Sequence, residues 1–240
     1  MAILTSVVSG RSETLYKVGR IWAKCIIAAS NIKVTVKGLS NLNLNESYIY
    51  MSNHVSNFDI PILQAYLPVQ FRWLAKAELF KIPIFGYTMK RAGYISINRS
   101  DRESAIQSLN KAAEILRNGT SVIIFPEGTR SQTQNLQSFK KGGFVLAVDS
   151  GVPIIPVIIH GTWAIMKKKQ IIIKQGNVVL EIKKPINTLN YTRKTKDDLM
   201  EEVRNIILES YEKSKKNERL VRIGLGHAND LIICKKELKK

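Results

Sequence analysis

The chain has 240 residues, of which 45% are hydrophobic, and this length and composition suit a single domain with one substantial core. Its 37 Lys and Arg against 19 Asp and Glu give a formal net charge of +18, which favours an acidic partner: nucleic acid, an anionic membrane or phosphorylated substrates. Cys25 and Cys234 are the only cysteines, and they lie too far apart in sequence to suggest a disulfide framework or a metal motif.

The first predicted element is a helix over residues 15–29. Its apolar residues recur at helical spacing, at Leu15, Val18, Trp22, Cys25, Ile26 and Ala29. Lys17, Arg20 and Lys24 lie on another face and interrupt the stretch, so the sequence predicts no ordinary transmembrane helix. A basic amphipathic helix with a Trp is typical of a membrane-interface anchor, and a helix packed on the domain's own core explains the pattern equally well. Residues 1–30 are assigned to this membrane-associating segment.

From residue 46 onward, predicted strands and helices alternate. Strands are predicted over 48–51, 71–75, 94–97, 121–125 and 153–160, and helices over 59–66, 104–117, 143–149 and 196–213. Residues 171–174 and 178–183 predict a hairpin around Gln175, Gly176 and Asn177. This alternation predicts a single layered α/β domain over residues 31–215, with a mixed central sheet flanked by helices. Residues 216–240 are predicted to form a loosely ordered basic tail.

The first candidate catalytic pair is His54 and Asp59. In a continuous helix, residues five apart lie roughly 140° apart around the axis and cannot pair. Ser56 or Asn57, however, can cap a helix that begins near Phe58, which places His54 before the helix and Asp59 in its first turn. The imidazole can then fold back onto the carboxylate, which fixes the ring tautomer and leaves the other nitrogen basic. The nucleophile can then be a hydroxyl on the substrate, deprotonated as it attacks an acyl thioester, although most His and Asp pairs at this spacing are structural or accidental.

A second polar segment directly follows the strand predicted over 121–125. Its residues are Phe125, Pro126, Glu127, Gly128, Thr129, Arg130 and Ser131. A carboxylate, a hydroxyl and a guanidinium at a strand end occupy the place where α/β folds keep their sites, and an Arg there suits a phosphate. The alternative is an ordinary turn between a strand and a loop.

Four ordered blocks over about residues 31–190 give the sequence a family resemblance. The chain resembles the glycerolipid acyltransferases, and among them the bacterial 1-acyl-glycerol-3-phosphate acyltransferases. The first and third blocks are the two segments just described, and the first has the His-x4-Asp pattern. The other two blocks are Lys76-Ala77-Glu78-Leu79 with Pro83, Gly86 and residues 91–99, and Val152-Pro153-Ile154-Ile155-Pro156-Val157.

The resemblance implies roles for ten residues. His54 matches the catalytic base, and Asp59 matches its orienting carboxylate. The positions that match substrate binding are Lys76, Arg99 and Arg130, associated with the acceptor's phosphate, and Glu127, Gly128 and Thr129. Pro153 and Pro156 match a block read as shaping the acyl-side wall. The alternatives are a solvated Lys76, an ion pair of Arg99 with Asp101, and purely structural prolines.

The activity that the resemblance implies is transfer of a fatty acyl group from acyl-CoA or acyl carrier protein to the sn-2 hydroxyl of lysophosphatidic acid, giving phosphatidic acid. It implies no metal and no bound cofactor, an anionic membrane surface as partner, no nucleic acid, and a location at the cytoplasmic face of the bacterial inner membrane. Three alternatives stay open: a related acyltransferase for another lysolipid or hydroxylated lipid, a nucleic-acid-binding protein, and a serine esterase. The sequence carries no common nucleic-acid-recognition signature and no Gly-x-Ser-x-Gly motif.

Overall fold

The computed structural model describes residues 12–98 and 100–237, and of residues 102 and 217–237 it describes the backbone only. Over these residues the strands are β1 (Ile32–Lys37), β2 (Ile49–Ser52), β3 (Phe71–Lys76), β4 (Ile95–Ile97), β5 (Ser121–Ile124), β6 (Ile154–His160) and β7 (Gly176–Ile182). The α-helices are α1 (Ser12–Ala29), α2 (Asp59–Tyr66), α3 (Phe85–Arg91), α4 (Arg102–Arg117), α5 (Gly142–Ser150), α6 (Thr162–Ile165) and α7 (Lys196–Glu237). Short 3-10 helices span Leu39–Asn41 and Ala77–Lys81.

The strands form one sheet in the order β1-β7-β6-β2-β5-β3-β4. The five strands from β6 to β4 are parallel to one another, whereas β7 is antiparallel to β6 and parallel to β1. The predicted mixed sheet is therefore confirmed. The carboxyl ends of β2, β3, β4, β5 and β6 lie together at one edge, which we call the carboxyl edge, and β1 and β7 begin at that same edge.

Helices cover both faces of this sheet, as the predicted layers require. The central strands β5 and β6 are buried throughout, which explains why they are runs of consecutive apolar residues rather than alternating ones. On one face, Phe144 of α5 and Leu199 of α7 lie in a core cluster with side chains of α4. On the other face, Ile27 of α1 and Ile62 of α2 belong to a second cluster. The sheet is thus the middle layer of a single domain.

The helix α4 is an example of why the predicted elements form. Asp101 precedes it, and its side chain accepts hydrogen bonds from the backbone N–H groups of Glu103 (3.0 Å) and Ser104 (3.4 Å). Such a cap satisfies amide groups that have no partner inside the helix. Helix α5 ends at Gly151, whose φ of 67° is the left-handed conformation that favours glycine at a helix end. Both helices were predicted within two residues of their observed bounds.

Helix α1 is partly embedded in the domain, on a different face from the one predicted. Leu15, Tyr16, Ala23 and Ile27 are its buried residues. Trp22, which the sequence placed on the apolar face, is 55% exposed. The stretch carries two apolar stripes, and packing against α2 selects the stripe that contains the small Ala23. Among the described residues, no helix has the length and apolar character needed to span a membrane.

The predicted hairpin is wrong. Residues 171–174 form no strand, and β7 already has β6 on one side and β1 on the other, so neither of its edges is available for a hairpin partner. Strand β1 lacked a sequence prediction, and it occupies the edge that the hairpin would have used. At the other end of the chain, α7 continues to Glu237, where the sequence had indicated a helix only to residue 213 and a loosely ordered tail from residue 216.

Candidate active site

His54 and Asp59 meet at the carboxyl edge. His54 follows β2, and Asp59 is the first residue of α2. The His54 Nδ1 atom lies 2.9 Å from the Asp59 Oδ2 atom, and Asp59 is fully buried while the His54 side chain is 11% exposed. The predicted turn followed by a helix therefore brings the pair together. Because Nδ1 is held by the carboxylate, Nε2 is the ring nitrogen that can exchange a proton with a substrate.

The Asp59 carboxylate is saturated with hydrogen-bond donors. Its Oδ2 atom also accepts hydrogen bonds from the backbone N–H groups of Val55 (2.7 Å) and Ser56 (2.8 Å). Its Oδ1 atom accepts a 2.6 Å hydrogen bond from the hydroxyl of the buried Thr162, which begins α6. These donors hold the buried carboxylate in one orientation. A fixed carboxylate in turn fixes the orientation of the imidazole.

The expected helix cap differs in detail. Phe58 occupies the cap position of α2, and no side chain caps that helix. The Ser56 Oγ atom instead accepts a hydrogen bond from the Phe58 N–H group (3.2 Å) and donates to the Met166 carbonyl (2.7 Å). Ser56 thus connects the catalytic turn to the segment that follows α6.

The second polar segment holds the backbone of His54 from both sides. The His54 N–H group donates to the Glu127 Oε1 atom (2.7 Å), and the His54 carbonyl accepts from the Ser131 N–H group (2.8 Å). The other Glu127 oxygen accepts from the Gln137 N–H group at 3.0 Å. Glu127 is 2% exposed. The sequence predicted that its carboxylate binds the acceptor, whereas in the structure both carboxylate oxygens already accept hydrogen bonds from backbone amides.

Burial is also the main influence on the protonation of Glu127. It raises the pKa of the Glu127 carboxyl to about 7, against the lowering effect of the Gln137 and His54 amides. The nearby Asp59 charge raises the pKa further. The Glu127 side chain is therefore a carboxyl group whose charge changes near neutral pH directly beneath the His54 backbone.

Aromatic side chains support the imidazole. The ring of Phe125 stacks on His54 with a centroid separation of 3.8 Å and an interplanar angle of 10°. Trp73 of β3 packs behind Phe125, with ring centroids 5.6 Å apart. This stack limits rotation of the imidazole ring about its bond to Cβ. The aromatic residue before Pro126 therefore has a role in the site that the sequence did not reveal.

Two of the predicted phosphate-binding residues, Lys76 and Arg130, lie along the same edge. Lys76 ends β3, and its Nζ atom pairs with Glu78 at 2.9 Å with both side chains at least half exposed. Continuing the strand registers places Lys76, Pro126 and Asn53 at one level of the sheet. Lys76 thus lies two strands from β2, roughly 10 Å away at the usual strand spacing.

Arg130 is half-buried, and its carbonyl accepts a 2.7 Å hydrogen bond from the Lys168 Nζ atom. Thr129 is exposed. Gly128, in the turn between Glu127 and Thr129, has a φ of 76°. Arg99 lies outside the described residues, so its predicted role stays a prediction.

The two prolines are not both near the catalytic pair. The Pro153 carbonyl accepts a hydrogen bond from the Ile49 N–H group (3.0 Å), at the amino end of β2 and β6. From Ile49 to His54 the chain rises by roughly 16 Å, so Pro153 lies at the edge opposite the site. Pro156 is buried beside Met51 within the sheet. The structure thus places Pro153 apart from the residues that surround His54.

Two further side chains shape the site and lacked a sequence prediction of their own. Thr162 holds Asp59, as described above. The Asn53 side chain joins β2 to β6, donating to the Ile159 carbonyl (3.0 Å) and accepting from the Ile159 N–H group (2.8 Å). Thr162 follows β6 at the carboxyl edge, and its position after a buried strand is the signal that could have indicated it. Among the described side chains, no group of three His, Cys, Asp or Glu could hold a metal ion.

Comparisons with known proteins match this architecture. The acyltransferase family model matches residues 33–160. The chain is 38% identical over 172 residues to the chloroplastic 1-acyl-sn-glycerol-3-phosphate acyltransferase LPAT1 of Arabidopsis thaliana, an alignment covering 71% of this chain and 48% of that protein. It is 31% identical over 199 residues to the 1-acyl-sn-glycerol-3-phosphate acyltransferase of Limnanthes douglasii, covering 82% and 70%.

A solved structure of known activity has the same fold. The crystal structure of the 1-acyl-sn-glycerophosphate acyltransferase PlsC from Thermotoga maritima superposes with a TM-score of 0.75 at 28% identity, covering 89% of this chain and 87% of that one. The chain spans about half the length of several of the curated relatives it matches.

Proposed function

Because the chain belongs to the acyltransferase family, we propose that it transfers a fatty acyl group from acyl-CoA or acyl carrier protein to the sn-2 hydroxyl of 1-acyl-glycerol-3-phosphate, making phosphatidic acid. The observation that carries this proposal is the buried pair of His54 and Asp59, whose geometry suits a general base. The names of the relatives support the choice of acceptor.

In the proposed reaction, the His54 Nε2 atom removes the proton from the acceptor hydroxyl as its oxygen attacks the thioester carbonyl. Asp59 stabilises the imidazolium that forms. Collapse of the tetrahedral intermediate breaks the carbon–sulfur bond, and the imidazolium returns its proton to the departing thiolate. The products are the ester and the free thiol, and the enzyme returns to its starting state without a covalent acyl intermediate.

The acceptor's phosphate is assigned to Lys76, Arg99 and Arg130. A phosphate monoester carries close to two negative charges, and basic side chains beside a strand end suit it. Lys76 must release Glu78 to bind the phosphate, which costs little because the pair is exposed. We place Glu127 beneath the base rather than in contact with the acceptor, because both of its oxygens accept backbone hydrogen bonds.

A location at the cytoplasmic face of an anionic bacterial membrane is also part of the proposal. Ile21 and Trp22 of α1 are 63% and 55% exposed, with Lys17 and Lys24 exposed on the same helix. An apolar side chain pair flanked by cations suits the interface of an anionic bilayer. Deletion of residues 1–30 would also remove buried Tyr16 and Ile27, so Ile21→Ser/Trp22→Ser is the sharper test of anchoring, with reduced liposome binding expected.

The experiment that tests the function is an assay matrix with the purified chain. Acyl-CoA and acyl carrier protein donors are combined with lysophosphatidate, with lysolipids whose phosphate is a diester, and with a monoacylglycerol. We expect phosphatidate to form fastest from lysophosphatidate. Equal turnover on acceptors without a phosphate monoester would contradict the assignment of the acceptor, and the alternative of another lysolipid would then stand.

His54→Ala tests the mechanism in the same assay. General-base catalysis contributes about 10²–10⁴-fold, and we expect the variant to lose about 10³-fold in turnover. The variant should still fold, because the hydrogen bonds to Glu127 and Ser131 involve only the His54 backbone. Asn57→Ala is the matched control, since Asn57 lies in the same turn with an exposed side chain. Near-normal turnover by His54→Ala would rule out this mechanism.

A further inference from the structure

A loop beside the catalytic turn carries an unusual exposed surface. Residues 166–175, here called the 166–175 loop, connect α6 to β7 at the carboxyl edge. Ile171, Ile172 and Ile173 are three consecutive isoleucines at its tip, with exposed fractions of 89%, 69% and 49%. Large β-branched side chains exposed in a row are unusual in a loop and mark a contact surface. The loop is also the segment whose apolar run suggested a strand that does not form.

Both ends of the loop are held by hydrogen bonds, and one of them is joined to the site. The Met166 carbonyl accepts from the Ser56 hydroxyl (2.7 Å), and the Lys168 Nζ atom donates to the Arg130 carbonyl (2.7 Å). At the other end, the Gln175 side chain accepts a 2.8 Å hydrogen bond from Asn31, in the turn between α1 and β1. The isoleucine tip therefore projects from a base that is tied to both catalytic segments and to the end of α1.

The charges around the tip have a single sign. Lys167, Lys168, Lys169 and Lys174 flank the isoleucines, and the sequence contains no Asp or Glu from Gly151 to Leu180. An apolar tip within a ring of cations matches a layer of anionic headgroups above hydrocarbon. Protein-binding surfaces instead draw most of their affinity from Trp, Tyr and Arg, and the tip has none of these.

The fold also gathers other apolar surface at this edge. The segment after β3 exposes Ile82, Ile84 and Phe85, and β3 ends at the carboxyl edge. Ile84 has a φ of 65°, a strained conformation for a β-branched residue, and its side chain nevertheless points to solvent rather than into the core. These exposed apolar residues thus lie on the segment that leaves the sheet at the carboxyl edge, where the site is also found.

We propose that the 166–175 loop inserts its isoleucine tip into an anionic bilayer and holds the opening of the active site against the membrane surface. The proposal rests on the proposed function in one respect, namely that the acceptor is a lipid drawn from that bilayer. The lysolipid then reaches His54 along the loop without crossing water, and the lysines hold the headgroup layer beside Arg130.

The test compares two triple variants of the full chain. The loop variant is Ile171→Ser/Ile172→Ser/Ile173→Ser. The matched control is Leu39→Ser/Leu44→Ser/Leu189→Ser, because these three exposed leucines lie near the opposite edge of the sheet. Binding to vesicles of phosphatidylcholine mixed with phosphatidylglycerol is measured by flotation without substrates. Turnover is measured separately on a short-chain lysophosphatidate that stays monomeric in solution.

We expect the loop variant to bind the vesicles about 100-fold more weakly, while the control binds like the parent chain. Turnover on the soluble acceptor should be unchanged in both variants, and turnover on vesicle-bound acceptor should fall only in the loop variant. Lys169→Asn/Lys174→Gln should weaken binding to the anionic vesicles and leave binding to pure phosphatidylcholine unchanged, and Asn tolerates the positive φ of Lys169.

Several results would overturn the proposal. Unchanged vesicle binding by the loop variant would do so, and so would equal losses in both triple variants, which indicate nonspecific adsorption. Normal vesicle binding with a loss of turnover confined to acyl carrier protein donors would assign the loop to that acidic protein instead. Because flotation uses no substrate, an inactive parent chain would refute the proposed function and leave the vesicle result to decide the loop.

Discussion

The sharpest test of the catalytic pair is Asp59→Asn, because the structure dictates how the new amide must orient. The backbone N–H groups of Val55 and Ser56 point at the Oδ2 position, at 2.7 and 2.8 Å, and cannot reverse. The amide oxygen must therefore take this position, and the amide nitrogen faces Thr162. The Thr162 hydroxyl can rotate from donor to acceptor, so the hydrogen-bond geometry survives and only the charge is lost.

The expected loss of activity follows from the distance between the His54 imidazole and the Asp59 carboxylate. Nδ1 and Oδ2 are 2.9 Å apart, which puts the charge centres of an imidazolium and a carboxylate about 4 Å apart. At an effective dielectric constant of 20, this attraction is worth about 4 kcal/mol. Each 1.36 kcal/mol corresponds to about tenfold in rate, so the turnover number should fall by about 10³-fold. The Michaelis constant should change little, because the charge on the imidazole develops only in the reaction.

The assay combines initial rates with urea unfolding. Asp59→Asn should lose about 1–3 kcal/mol of stability, since it replaces charge-assisted hydrogen bonds with neutral ones, and remain folded. Asp59→Ala also removes the hydrogen bonds that the carboxylate makes, so it should be less stable than Asp59→Asn and no more active. A loss of less than tenfold in turnover by folded Asp59→Asn would refute the reasoning that Asp59 stabilises a developing imidazolium.

Three further predictions test parts of the site and its surroundings. Thr162→Val should lower the turnover number about tenfold with the Michaelis constant unchanged, and Thr162→Ser should restore it, since only the hydroxyl bond to Asp59 differs. Gly86→Ala should lower the free energy of unfolding by at least about 2 kcal/mol, because its Cβ would lie 2.1 Å from the Phe80 carbonyl oxygen. Gly142→Ala, whose Cβ meets only a side-chain carbon at 3.7 Å, is its control in urea unfolding and should not be destabilised. Because the pKa of Glu127 is raised from 4.5 to about 7, the folded chain keeps a proton on this carboxyl between these pH values, whereas the unfolded chain has released it. The stability from Glu127 is therefore present below about pH 4.5 and is lost as the pH rises to about 7, by about 3 kcal/mol. A Glu127→Gln variant, unfolded in urea across this pH range, should not show this decrease in the free energy of unfolding.

The local part of the fold and site was predictable from sequence because its causes are local. The turn from His54 to Asp59 is a matter of six consecutive residues, and the first residue of α2 was predicted correctly. The helices α4 and α5 have their stop signals, Gly119 and Gly151, directly in the chain. Strands β5 and β6 are apolar runs that only burial in the middle of a sheet explains.

The features of the fold and site that the sequence did not predict depend on contacts between segments that are distant in the chain. Thr162 and Asp59 are 103 residues apart, and nothing near either residue shows that they meet. The pairing of β1 with β7 took the place of the predicted hairpin, and a strand's partner is a tertiary choice. For α1, the sequence offers two apolar stripes, and packing against distant segments, chiefly α2, decides which one is buried.

Glu127 shows how the two sequence segments depend on each other. A general base works only if its nitrogen is held within a few tenths of an ångström of the reacting hydroxyl. His54 lies in a turn that is fixed by hydrogen bonds to Glu127 and Ser131 from the second segment, at 2.7 and 2.8 Å. The spacing of His and Asp alone is therefore insufficient for function, because the position of the base is set from residues more than seventy positions further along the chain.

Steady-state kinetics can distinguish a Glu127 that positions the base from a Glu127 that binds the acceptor. If Glu127 positions the base, Glu127→Gln should lower the turnover number and leave the Michaelis constant for lysophosphatidate unchanged. Its amide oxygen can still accept from the His54 N–H group, but its amide nitrogen faces the Gln137 N–H group, and that hydrogen bond is lost. If Glu127 instead binds the acceptor, the Michaelis constant should rise while the turnover number is retained. The second result would return Glu127 to the acceptor pocket and would require the carboxylate to leave both backbone amides when substrate binds.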